Sequence, residues 1–283
     1  MTASIFPSLF EMGVDEMIRD GKEKIRPQGT PPIARTRFWE IDFLRGCAII
    51  LMVGFHWTVD RNILKGEQPW FSPWVLSLWQ MVTAGLFLLL TGVSLTLRRD
   101  PPEISPPPRR CLWQCLNFRR CRHLRRGMVI LGWGLLITII TRFFLPQNYI
   151  IFGILHLIGS AVLLSQPLLN LKTWNLALGV MVIGLGIYLN HQRVTFPWLV
   201  WAGFIPEGFA SIDYFPIFPW YGAVLIGIFT GKILYGDQGR NFSLNDQPSH
   251  KIVRGLCYLG RNSLTIYLVH QPVLLLFVFL LGK

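Results

Sequence analysis

Charge is scarce in this sequence. Only 15% of its 283 residues are Asp, Glu, Lys or Arg, whereas 52% are apolar and the mean hydropathy is +0.43. That leaves too little polar surface to coat a soluble globule, so lipid must solvate much of the chain. Alternating apolar segments of about ten residues, the signature of a membrane β-barrel, are missing. Residues 1–37 lack a basic-then-apolar pattern and a small-residue cleavage site, so no signal peptide is expected. No internal repeat marks the paired halves of a secondary transporter. The last apolar run has no lysine, which excludes a retinal protein with a Schiff base there.

What is present is a series of continuous, helix-length apolar runs. They fall at residues 41–59, 73–97, 124–145, 150–169, 174–189, 215–234 and 256–281. A bilayer core takes roughly 20 residues per helix and tolerates only structures that satisfy their own backbone groups. The pattern therefore predicts an all-α polytopic bundle of about seven transmembrane helices. Segment 196–209 is apolar too, but it holds Pro197, Pro206 and Glu207 and is short, so it reads as interfacial or re-entrant.

Basic residues set the orientation, because those in short loops stay cytoplasmic. With seven spans and an inner N-terminus, only Arg61, Lys65, Arg142, Arg193 and Lys283 of the 27 basic residues fall outside. The expected domains are a cytoplasmic tail (1–37) and a transmembrane domain (38–283) that contains an Arg/Pro-rich cytoplasmic loop (98–123). The expected location is an integral position in a bacterial cytoplasmic (inner) membrane. Positive-inside topology also explains the net charge of +12, whose Arg clusters lack the aromatic interleaving of a nucleic-acid binder. Segment 109–126 could still hold anionic lipid or a polyphosphorylated cofactor. Cys47, Cys111, Cys115, Cys121 and Cys257 all fall near the cytoplasmic side, where thiols stay reduced. Cys111, Cys115, Cys121 and His123 lack the paired short intervals of a zinc site, and no metal is expected.

Ionisable residues inside spans are expensive and mark pathways or reactive sites. The first span is the richest. Asp42 and Arg45 lie three residues apart at its inner end, and His56 and Asp60 lie four apart at its outer end. Arg45 and His56 are separated by eleven residues, which is three turns plus about 20° and a rise of roughly 16 Å. Both share a face, an arrangement suited to a long, thin ligand. The bland alternatives are an interfacial ion pair for Asp42 and Arg45, and a satisfied polar pair for His56 and Asp60. His156 and His270 lie in later spans, with Asp213 at an outer end; each histidine could also be a lone hydrogen bonder within the bundle.

Four separated segments resemble the heparan-α-glucosaminide N-acetyltransferase catalytic-domain family. They are RFWEIDFLRGCAIILMVGFH at 37–56, FGILHLIG at 152–159, DYFPIFPWYG at 213–222 and LGRNSLTIYLVHQP at 259–272. The spacing of Arg45 and His56 also resembles the signature of the wider acyltransferase-3-like membrane enzymes. The resemblance implies an acyl-CoA, used from the cytoplasm as acyl donor, and an extracytoplasmic acceptor, usually a sugar. An acetyl group moved from acetyl-CoA to a sugar amine or hydroxyl is the function expected.

The chemistry fits the residues. A histidine can deprotonate the attacking amine or hydroxyl, which makes His56 the candidate base and Asp60, at i+4, its candidate orienter. His156 and His270 complete the candidate catalytic set. Arg45, Asp42 and Arg261 are candidates for binding the cofactor, and Asp213, Trp220 and Gln271 for binding the acceptor. Pro272 removes a backbone hydrogen bond to the Leu268 carbonyl and so favours a cavity beside His270. The partners expected are membrane lipid, acyl-CoA, a sugar-type acceptor and, as an option, a second copy of the chain, with no nucleic acid. The rival reading is a transporter of a small anion or lipid-linked substrate without acyl transfer.

Overall fold

Among the described residues, seven helices follow the apolar runs, and an eighth arises where the last run divides. The computed structural model describes residues 38–66, 70–97, 122–171, 173–236, 239–245 and 250–280. The helices are α1 (Trp39–Lys65), α2 (Pro73–Leu97), α3 (Arg122–Phe144), α4 (Ile154–Leu164), α5 (Trp174–Asn190), α6 (Ile217–Leu234), α7 (Lys251–Arg261) and α8 (Ser263–Leu280). Two minimal strand pairs accompany them: β1 (Arg193–Val194) with β2 (Ile205–Pro206), parallel, and β3 (Tyr235–Gly236) with β4 (Gly239–Arg240), antiparallel. The tail 1–37, nearly all of the 98–123 loop and the three cysteines of the unfavoured zinc reading lie outside the described residues.

Local sequence explains where several helices begin. Pro73 opens α2, where its fixed φ is pre-organised and its missing N–H would have had no partner. Glu40 and Asp42 sit in the first turn of α1, where the helix dipole favours negative charge.

Among the described residues, five helices are long and apolar enough to cross a bilayer: Trp39–Ile63, Pro73–Leu97, Leu124–Phe144, Ile217–Leu234 and Ser263–Leu280. The protein is thus an all-α polytopic membrane protein. The other two apolar helices are shorter than their sequence runs suggested. Helix α4 has 11 residues, a length of about 16 Å, because 152–153 is drawn into a bridge with the chain at Tyr214 and Pro167 opens a 3₁₀ turn. Helix α5 has 17 residues.

The run at 256–281 is corrected into two helices that meet at Asn262. Helix α7 is amphipathic: Cys257 and Gly260 are buried, whereas Lys251, Arg254, Tyr258 and Arg261 are exposed. Only α8 has the composition of a span. Segment 196–209 holds a 3₁₀ turn (Val200–Ala202) and strand β2 but no α-helix, and it exposes Trp198 and Trp201, as an interfacial segment would.

Helix α6 holds the core together, packing chiefly against α2 and α5 and also touching α4. Leu88, Leu157, Val224, Leu225 and Ile228 are fully enclosed there. Inside lipid there is little hydrophobic drive between helices, so small residues that allow close backbone approach decide where helices meet. A Cβ on Gly92 or Gly227 would strike a carbonyl oxygen of the facing helix at 2.1 or 2.2 Å. The same device joins α1 to α7. A Cβ on Gly46 would lie 2.1 Å from the Leu256 carbonyl oxygen, and one on Gly260 would lie 1.8 Å from that of Asp42.

Candidate active site

Two successive rungs connect α1 to α8. In the first, the imidazoles of His56 and His270 face each other with ring centroids 5.0 Å apart and planes tilted by 57°. In the second, Gln271 Nε2 donates to both carboxylate oxygens of Asp60, at 3.0 Å each. Residues four apart on α1 thus meet neighbours on α8. The orienting role expected of Asp60 toward His56 finds no hydrogen bond between them. The Asp60 carboxylate is occupied by the Gln271 amide.

Hydrogen bonding fixes the state of His270. Its Nδ1 lies 2.6 Å from the Tyr267 carbonyl oxygen, which can only accept, so Nδ1 carries the hydrogen. In the neutral ring the lone pair is then on Nε2, which is buried and has no hydrogen-bond partner among the described residues. Gln271 Oε1 is likewise buried without a donor among those residues. Two adjacent residues therefore bring unmet acceptors to the rungs, and buried acceptors left unmet are costly, by about 1–3 kcal/mol each.

His156 has the opposite tautomer and a different occupation. It is the third residue of α4, and its Nδ1 accepts from the Gly153 amide at the helix start, 3.2 Å away. Nε2 must then carry the hydrogen, and it faces Thr138 Oγ1 at 3.3 Å. Both nitrogens are engaged, as in a capping residue. Asp213 serves the same helix end by accepting from the Ile154 amide at 3.2 Å. Chain pairing places it there: Phe152 bridges Tyr214, and Phe215 N donates to Phe152 O at 2.9 Å. Burial raises the Asp213 carboxyl to about 6, partly opposed by the Ile154 hydrogen bond.

Tyr267 links the two clusters, and sequence reasoning did not single it out. Its ring lies 5.4 Å from that of His270, and it lines a cavity of about 10 Å³ together with His156 and Asp213. Its position at i−3 from His270 on α8 was the available signal. His156 also lies at the edge of an apolar groove of about 640 Å³ beside Trp198 and Trp201. Trp220 packs edge-on against Phe215, at 5.0 Å, on the margin of the α6 core rather than on the α1–α8 rungs.

At the N-terminal end of α1 Asp42 gathers the two expected arginines. Arg45 Nη1 lies 3.5 Å from Asp42 Oδ1, and Arg261 Nε donates to Oδ2 at 3.2 Å. Arg45 also donates to Ser94 of α2. Two guanidiniums thus share the Asp42 carboxylate. A second ion pair lies nearby in sequence but was not read from it. Glu40 accepts from Arg240 Nε at 2.8 Å and Nη2 at 2.9 Å, and from the Tyr235 hydroxyl at 2.9 Å.

A family model described as heparan-alpha-glucosaminide N-acetyltransferase, catalytic, matches residues 37–272. No curated protein and no solved structure matches the chain.

Proposed function

Because the chain belongs to the heparan-alpha-glucosaminide N-acetyltransferase catalytic-domain family and is therefore a membrane acetyltransferase, we propose that it moves acetyl from cytoplasmic acetyl-CoA to an extracytoplasmic sugar amine or hydroxyl. The observation that carries this reading is the His56–His270 contact. It lies about 16 Å along α1 from the Arg45 cluster, a distance an extended pantetheine arm can follow. Arg45 and Arg261 hold the CoA phosphates, and Asp42 fixes both guanidiniums.

His56 is the general base. As the acceptor atom attacks the thioester carbonyl carbon, its hydrogen passes to the His56 imidazole. The carbon–sulfur bond then breaks, and the leaving thiolate takes the proton back from the imidazolium, so charge and protons balance. His270 Nε2, a lone pair with no donor among the described residues, offers an acceptor beside that imidazolium. This is the support that the sequence had assigned to Asp60.

The test uses detergent-purified protein and radiolabelled acetyl-CoA with sugar acceptors. Wild type should release CoA and label the acceptor, and His56→Ala should be slower by about 10²- to 10⁴-fold. Equal turnover by His56→Ala would remove the base from this position. Absence of CoA release from wild type would overturn acetyl transfer from CoA.

A further inference from the structure

The second rung between α1 and α8 has no part in the proton transfer just described, yet it contains a built polar site. Gln271 Nε2 is held by both oxygens of Asp60 at 3.0 Å. That bidentate anchor fixes the amide's orientation, because a carboxylate calls for the NH₂ side. Oε1 is therefore turned away from Asp60, and it is buried with no donor among the described residues. A pinned amide with an unmet acceptor, one residue from His270 and one helical turn from His56 through Asp60, is arranged to receive a hydrogen from something that binds there.

We propose that Gln271 is the residue that selects the attacking group, and that Asp60 is a positioning residue that acts through Gln271 rather than through His56. This rests on the acetyl-transfer reading. The nucleophile donates one hydrogen to Gln271 Oε1 while it loses another to His56. A primary amine has both hydrogens: one N–H leaves to His56 as the new carbon–nitrogen bond forms, and the other stays bonded to Oε1 as the amide N–H. The carbon–sulfur bond breaks, and the thiolate recovers the proton from His56. An alcohol has one hydrogen only. If His56 takes it, Oε1 stays buried and unmet, a situation that discriminates strongly between substrates. Gln271 therefore disfavours oxygen nucleophiles relative to nitrogen ones.

The experiment compares glucosamine and glucose as probe acceptors, with acetyl-CoA as donor, in wild type, Asp60→Asn, Gln271→Met and the double variant. Wild type should prefer the amine. Each single variant should lower kcat/KM for glucosamine by about 10- to 100-fold, mainly through the acceptor KM. The ratio of glucosamine to glucose kcat/KM should fall with it, while the KM for acetyl-CoA stays near wild type. The double variant should be no worse than either single one, because both remove the same contact. The pH–rate limb assigned to His56 should not move.

A Gln271→Met enzyme that keeps the amine preference overturns the inference. So does an Asp60→Asn enzyme whose loss is confined to kcat with a displaced pH profile, because that places Asp60 on His56. An unchanged KM for acetyl-CoA shows that each variant is folded. A wild type that releases no CoA with either probe counts against acetyl transfer itself, a different result from an active wild type with unchanged preference in the variants.

Discussion

Asp60 and Gln271 are joined by two 3.0 Å contacts from one amide nitrogen to both carboxylate oxygens. They lie 211 residues apart in sequence and form the second of the two rungs that set α1 against α8. The His56–His270 contact is the neighbouring rung, one helical turn away on α1. Catalytic residues held from two helices in this way are placed by packing rather than by a loop, which favours precise geometry.

His156 should behave as a helix cap. His156→Asn keeps an acceptor near the Gly153 amide, whereas His156→Leu leaves that donor and Thr138 unmet. The Leu variant should be less stable by about 1 kcal/mol, the typical worth of an N-terminal cap. Thermal unfolding in detergent measures this. Both variants should retain most acetyl transfer at a temperature where they are folded, whereas His56→Ala should not.

Asp213 should make stability depend on pH. Its carboxyl titrates near 6 in the folded chain against 3.8 ordinarily, so the folded state binds the proton more tightly. Stability should therefore fall as pH rises from about 4 to about 6 and level off above, by at most about 3 kcal/mol. Asp213→Asn keeps an oxygen for the Ile154 amide and removes the titration. Its melting temperature, followed across that window, should lose the slope.

Gly260 should tolerate no side chain. A Cβ there would sit 1.8 Å from the Asp42 carbonyl oxygen, a backbone atom that cannot swing away. Gly260→Ala should push α7 off α1 and destabilise the protein by about 1–3 kcal/mol, as overpacking does. Arg261 would move with α7, so the KM for acetyl-CoA should also rise. Gly255→Ala is the control, since its Cβ would meet nothing within 4 Å. Melting temperature and donor KM for the two variants decide the matter.

Helix number and polar stripes were legible because they are one-dimensional properties. A run of apolar residues declares a span, and residues spaced by 3.6 share a face wherever the helix goes. Asp42 with Arg45 was readable for that reason, and the ion pair is present. His56 with Asp60 has the same kind of spacing, yet the partner chosen was Gln271, because a side chain on another helix competed better for the carboxylate. The break at Asn262 was hidden within an apolar run: α7 is half polar, but its apolar half merges in sequence with α8.

The sequence by itself determined the membrane setting, the family-bearing segments and which residues could carry charge or protons within the spans, since composition and periodicity suffice for those. Only the tertiary structure decided that His270 presents Nε2 beside His56, that His156 caps α4 and that Asp60 grips Gln271. Each of those outcomes depends on which donor lies within about 3 Å of which acceptor. In lipid that is set by helices meeting at glycines such as Gly46 and Gly260, a choice that helical periodicity does not encode.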